Sequence, residues 1–192
     1  MEKIELKKQI DSDLFRYAGK SDKKTFLYYF ILFPGFRYQY LLRKCHYAEL
    51  NNNNFLGRIR LVLLWFVFRH YQIKYGIEIH YKTKIGDGLV IYHGGCIVVG
   101  SQVVIGKNCC IGNCVTIGAS HRFGNKGFPM IGDNVYISPG AKIIGKIKIG
   151  NNVLIGLNSV VVTDIPDNAV VLGVPGKVVS LYGSAGYIIN PV

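Results

Sequence analysis

Aliphatic residues recur every six positions through the second half of the chain. Val99, Ile105, Ile111 and Ile117 form one series, and Ile131, Ile137, Ile143, Ile149, Ile155 and Val161 form another. Two positions before each stands, in most cases, a small or aliphatic companion: Ile97, Val103, Cys109 and Val115, then Val135, Ala141, Ile147, Val153 and Ser159. A period of six is neither helical nor simple strand alternation. It predicts a parallel β-helix in which three short strands close one triangular coil. The aliphatic residue and its companion point inward and stack on their equivalents in neighbouring coils, about 4.8 Å apart. Cys109 is then a small core residue. Gly, Asn and Asp fall at the corners, where left-handed or other unusual backbone angles are favoured.

The phase slips twice. Ile85 to Val99 spans 14 positions, two more than two hexapeptides, and Ile117 to Ile131 spans 14 again, with the pattern lost across 119–130. Breaks in a solenoid are where loops and sites sit. The first break holds Tyr92, His93, Gly94 and Gly95. The second holds His121, Arg122, Phe123 and the run 124–128.

Residues 1–76 follow a different pattern. Ser21 and Asp22 mark a helix start before an apolar run over 25–33. Pro34-Gly35 interrupts that run, a second helix is expected over 36–50, Asn51 to Asn54 form a polar linker, and a third helix is expected over 56–71. The apolar runs 26–33 and 61–68 are shorter than the ~20 residues of a membrane span. Two readings stand: a helical cap on the β-helix, or a basic, aromatic surface lying on the inner membrane face, with Arg58, Arg60, Arg69 and Lys74 flanking the second run.

Composition narrows the setting. The 192 residues suit one compact domain with a small appendage. The formal charge is +12, and most of the excess lies before residue 77. That balance permits an acidic ligand, a membrane surface or nucleic acid, but no nucleic-acid-reading element is present and none is expected as partner. The charged start has no apolar signal core and the five cysteines are an odd number, which predicts a reducing, cytoplasmic location. Cys109, Cys110 and Cys114 have no following His or Cys pair at zinc spacing, so no metal is expected.

Three segments, 77–95, 115–145 and 155–179, resemble the hexapeptide-repeat acyltransferases and, within them, the serine acetyltransferase branch. The terminal GVPGKVV is similar to the family's closing signature. The helical leader is more similar to that of capsule and exopolysaccharide O-acetyltransferases. The resemblance implies a left-handed parallel β-helix over 77–179 with a tail over 180–192, a homotrimer with active sites between subunits, and acetyl-CoA as donor. It places the catalytic His at His93 and its acidic partner at Glu78, fifteen positions earlier. His80 matches a secondary family His. His46 and His70 are read as structural.

The chemistry explains the pair. A hydroxyl is a poor nucleophile at neutral pH, and a His with pKa near 6.5 can take its proton as it attacks a thioester. A carboxylate on the other ring nitrogen fixes the tautomer and steadies the imidazolium. Backbone N–H groups at Gly94-Gly95 are candidate oxyanion donors. Direct transfer without an acyl-enzyme is expected. The resemblance further assigns CoA contacts to Pro139, Leu157, Val162 and Lys177, with Lys177 positioned to meet phosphate. Lys142, Lys146 and Lys148 add positive field or form a solvated face.

Two departures bear on the acceptor. Tyr92 stands where serine acetyltransferases have Asp, and Phe128 where they have His. Aromatic faces suit sugar rings better than an amino acid's charges. With His121 as a further contact, these positions point to a sugar hydroxyl acceptor in capsule or exopolysaccharide synthesis. Serine O-acetylation is the alternative, and a catalytically silent β-helix module the second.

Overall fold

The structure, a computed structural model, describes residues 3–121 and 126–192. Four helices come first: α1 (Lys3–Ala18), α2 (Lys23–Leu32), α3 (Pro34–Leu50) and α4 (Phe55–Tyr75). Asp22 caps α2, its carboxylate accepting from the Thr25 N–H at 2.9 Å. Pro34 opens α3 at a position that needs no N–H donor, so the break in the apolar run is a helix boundary. Asn54 caps α4 through the Gly57 N–H, and Gly76 closes it at φ 60°. Helix α1 is not anticipated by the apolar pattern, because its inward face carries Asp13 and Arg16 beside Leu6 and Leu14.

The rest is a parallel β-helix with three faces. One face stacks β1 (Ile77–Ile79), β4 (Ile97–Val99), β7 (Thr116–Gly118), β10 (Lys142–Ile144) and β13 (Val160–Val161). A second stacks β2 (Lys84–Ile85), β5 (Val104–Ile105), β8 (Met130–Ile131) and β11 (Lys148–Ile149). The third stacks β3 (Val90–Ile91), β6 (Cys110–Ile111), β9 (Tyr136–Ile137), β12 (Leu154–Ile155) and β14 (Val170–Leu172). The antiparallel β15 (Lys177–Ser180) then folds back on β14 as the chain leaves the coil. The six-residue series lies in the core, with Ile105, Ile111, Ile117, Ile131, Ile137, Ile143, Ile149 and Ile155 all buried; Cys109 is buried with them.

The register separates the two phase slips. A coil takes 18 residues from Val99 to its partner Ile117, but 20 from Ile79 to Val99 and 26 from Ile117 to Ile143. The first slip is two extra residues at the corner 92–96. The second is eight extra residues at one corner, between β7 and β8, with Ser120 and Gly127 paired at its base. Equal gaps in sequence therefore hide a small bulge and a true insertion. Residues 122–125, which include the expected Arg122 and Phe123, lie outside the described residues.

At the corner between the second and third faces, Asn108, Asn134, Asn152 and Asn168 adopt φ of 55–60°. Asn tolerates this left-handed region better than most residues. Their side-chain amides form a ladder, with N···O distances of 3.0, 2.9 and 3.1 Å. The segment after β15 turns back along this corner. Ser184 Oγ donates to Asn134 O, and Val192 N donates to Asn108 Oδ1.

The helices close the open end of the solenoid. Strands β1 to β3 have no coil beyond them, so their outward N–H and C=O groups need other partners. Tyr38 Oη accepts from Ile79 N and donates to Ile79 O. Arg43 donates to Ile85 O and Gly86 O, and Asp13 accepts from Leu89 N. Tyr17 Oη accepts from Ile91 N and donates to Ile91 O. Asp13 and Arg43 also pair with each other at 3.0 and 3.1 Å, both deeply buried. Gly35 brings α3 so close that a Cβ there would lie 1.8 Å from Ile91 O.

Arg43→Ala strands the Asp13 carboxylate and two carbonyls in the interior. Urea denaturation is expected to show a loss of about 3–5 kcal/mol, the usual cost of breaking a buried pair by removing one partner. Asp13→Leu combined with Arg43→Met is expected to recover part of that loss.

Candidate active site

Glu78 is the middle residue of β1. Ile77 and Ile79 on either side are buried, so strand alternation turns Glu78 outward. It lines a cavity of about 570 Å³ with His80, Ser101 and, from α4, Trp65, Arg69 and Gln72. The three α4 residues are missed by sequence reading. Gly76 sets the angle at which α4 meets β1, and only that tertiary turn brings them beside Glu78.

His80 is held as a defined tautomer. Its Nδ1 accepts the Lys82 N–H at 3.1 Å and its ring stacks on Tyr81. Partial burial, and then the Lys82 charge, lower its pKa below the ordinary 6.5.

His93 stands at the corner between the third and first faces, in the two-residue bulge, and is exposed. The corner rests on the end of α4. Gly95 N–H donates to Tyr75 O at 2.8 Å, and a Cβ at Gly94 would lie 2.8 Å from the same oxygen. Gly95 N–H is therefore committed to the fold and does not serve as an oxyanion donor here, which corrects half of that expectation. His93 lies outside the Glu78 cavity, and no hydrogen bond or ion pair joins it to Glu78 among the described residues.

The corner continues as a column. Cys114 N bonds Gly95 O, Gly140 N bonds Asn113 O, and Asn158 N bonds Pro139 O. His93, Pro139 and Leu157 thus occupy one edge of the prism on the first, third and fourth coils, with Asn113 on the second, spanning about 14 Å at the usual strand spacing. Leu157 is exposed and Pro139 partly so. Val162, also exposed, follows β13, and Lys177 is exposed at the start of β15. Lys142 is tied to Cys114 O and Thr116 Oγ1 rather than free.

The acceptor positions are arranged differently from a stacking platform. The Tyr92 ring packs edge-on against Tyr17, with centroids 6.0 Å apart, and burial pushes its phenol above the ordinary pKa. Phe128 is partly buried against the core, where it fills the space a Cβ at Gly100 would take. His121 is exposed. Among the described residues no group of three or more metal-ligating side chains gathers. Burial raises the thiols of Cys109 and Cys110 to about 12 and about 11.

Residues 128–163 match the family model described as bacterial transferase hexapeptide, six repeats. The serine acetyltransferase of Synechococcus elongatus is 34% identical over 150 residues, covering 78% of this chain and 58% of that protein. The chain thus spans less than two thirds of that relative's length. Among solved structures, the serine acetyltransferase of Neisseria gonorrhoeae in complex with serine matches 93% of this chain and 70% of its own, at TM-score 0.75 and 32% identity. A serine acetyltransferase in complex with CoA matches 92% and 69%, at TM-score 0.69 and 30% identity.

These likenesses overturn the expected sugar acceptor, and with it the narrower resemblance to capsule and exopolysaccharide enzymes. The solved serine acetyltransferases extend over the helical leader as well as the β-helix. The physical reason lies in packing: Tyr92 and Phe128 are engaged within the chain, so neither aromatic face is laid out for a sugar ring.

Proton NMR titration is expected to place His80 below 6.5. In Lys82→Ala the value is expected to rise, because the lowering charge is gone while Glu49, which raises it, remains.

Proposed function

This chain belongs to the hexapeptide-repeat acyltransferase family, and from that premise we propose that it is a serine O-acetyltransferase using acetyl-CoA. The observation that carries the reading is the likeness to serine acetyltransferase structures across both the helices and the β-helix, including one holding serine and one holding CoA.

In this reading His93 is the general base. It takes the serine hydroxyl proton as the oxygen attacks the acetyl carbonyl. The tetrahedral intermediate collapses, the C–S bond breaks, and the imidazolium returns the proton to the CoA sulfur. Glu78 supplies the negative charge that orients the ring and stabilises its charged form. Both side chains are exposed, which leaves them open to a bound acceptor. The Gly94 N–H is the remaining backbone donor of that corner for the oxyanion. The column through Pro139 and Leu157 gives the pantetheine arm a path away from His93, with Val162 beside it and Lys177 toward the phosphates. Arg69, lining the Glu78 cavity, supplies a cation suited to the carboxylate of serine, the charge Tyr92 and Phe128 do not provide. The working unit is a homotrimer, with the cleft completed by a neighbouring subunit, in a reducing cytoplasmic setting where five free cysteines are at home.

Release of CoA thiol from acetyl-CoA is expected to depend on L-serine and to fall about 10²–10⁴-fold in His93→Ala, the range of general-base contributions. Glu78→Gln is expected to reduce kcat with less effect on KM. Absence of serine-dependent release from the trimeric wild type, its mass confirmed by light scattering, overturns the reading.

A further inference from the structure

Helix α4 is apolar on two sides. One side, with Phe68 buried and Leu64 and Tyr71 partly buried, packs on the core. The opposite side faces water. Phe55, Ile59, Val62, Phe66 and Ile73 fall on one line of the helix and are 76%, 42%, 51%, 62% and 71% exposed. At 100° per residue, Leu56, Leu63 and Val67 widen this line to a stripe about 140° across and about 27 Å long, with the exposed His70 as the polar residue within it. A largely apolar exposed surface of this extent marks a contact.

Its borders identify the contact. Arg58 follows one edge and Arg60 the other, Lys74 stands at the C-terminal end of the stripe, and α4 contains no acidic residue. Arg60 lies over the Tyr47 ring and Lys74 near the Tyr71 ring, so both cations lean away from the middle of the stripe. Trp65 sits beside the Arg58 edge, 39% exposed. Cations lining both sides of an apolar stripe, with Trp at the margin, match a helix lying in the headgroup layer of an anionic bilayer. A second copy of the same face would set the cations of one copy against those of the other. Nor is α4 a span: among the described residues no helix is long and apolar enough to cross a membrane.

We propose that the outward face of α4 seats this protein on an anionic phospholipid surface, with the apolar stripe in the interface and the flanking cations at the headgroups. The inference is independent of the acceptor chemistry. It lays the bilayer alongside β1, since α4 runs directly into that strand.

The test uses the full chain and its single tryptophan, Trp65. With vesicles of phosphatidylcholine mixed with phosphatidylglycerol, Trp65 emission is expected to shift to shorter wavelength and the protein to sediment with the lipid. With phosphatidylcholine alone, or in high salt, binding is expected to weaken about tenfold or more. Phe66→Asp is expected to weaken partitioning by about tenfold or more, the loss of one buried aromatic. Arg58→Glu with Arg60→Glu is expected to do likewise at low salt, while circular dichroism and native mass stay unchanged. No co-sedimentation of the wild type, or binding equal in Phe66→Asp, overturns the proposal. So does a fall in native mass in Phe66→Asp, which would assign the face to a second copy of the chain.

Discussion

A parallel β-helix has an end, and the end is a row of unpaired peptide groups. Helices α1 and α3 are organised around that constraint. Asp13, Tyr17, Tyr38, Gln39 and Arg43 bond to the N–H and C=O groups of the first coil that a further coil would otherwise have met. The helices therefore imitate one more turn of solenoid with side chains. This explains why charged residues are buried in α1 and α3: each is matched to a backbone group whose position is set by the strands. An exposed edge would instead invite pairing with another chain.

The candidate site inherits its position from the same junction. The corner that carries His93 is laid against the last carbonyl of α4, and Gly94 and Gly76 permit the approach. Glu78 follows α4 by three residues, so the helix that closes the coil also supplies one wall of the cavity beside the carboxylate. Cap and site are in this sense one construction. The donor column extends away from it along a single edge, through Pro139 on the third coil and Leu157 on the fourth.

The β-helix was legible because its period leaves a signature in every coil, and the corner residues fit their left-handed angles. His93 and the bulge that holds it were legible as a loss of phase. What escaped was whatever depends on one element meeting another. Helix α1 hides its inward face behind Asp13 and Arg16, whose burial makes sense only against parts of the solenoid 72 or more residues away. Arg69 and Gln72 enter the cavity only through the angle between α4 and β1. Tyr92 and Phe128 were recognised as departures, but residue type alone does not say which way a ring turns. The structure turns one toward Tyr17 and the other toward Gly100.

The returning segment after β15 alters how the molecule should come apart. A stack of coils joined only to its neighbours frays from its ends, each coil lost at the cost of one interface. Here Ser184 is bonded beside the third and fourth coils and Val192 to Asn108 of the second, while Arg16 of α1 donates to Ile189 O. The last coil thus cannot peel away without also loosening contacts near the first. The tail works as a tie rod along one edge, and it converts a chain of local equilibria into a single cooperative unit.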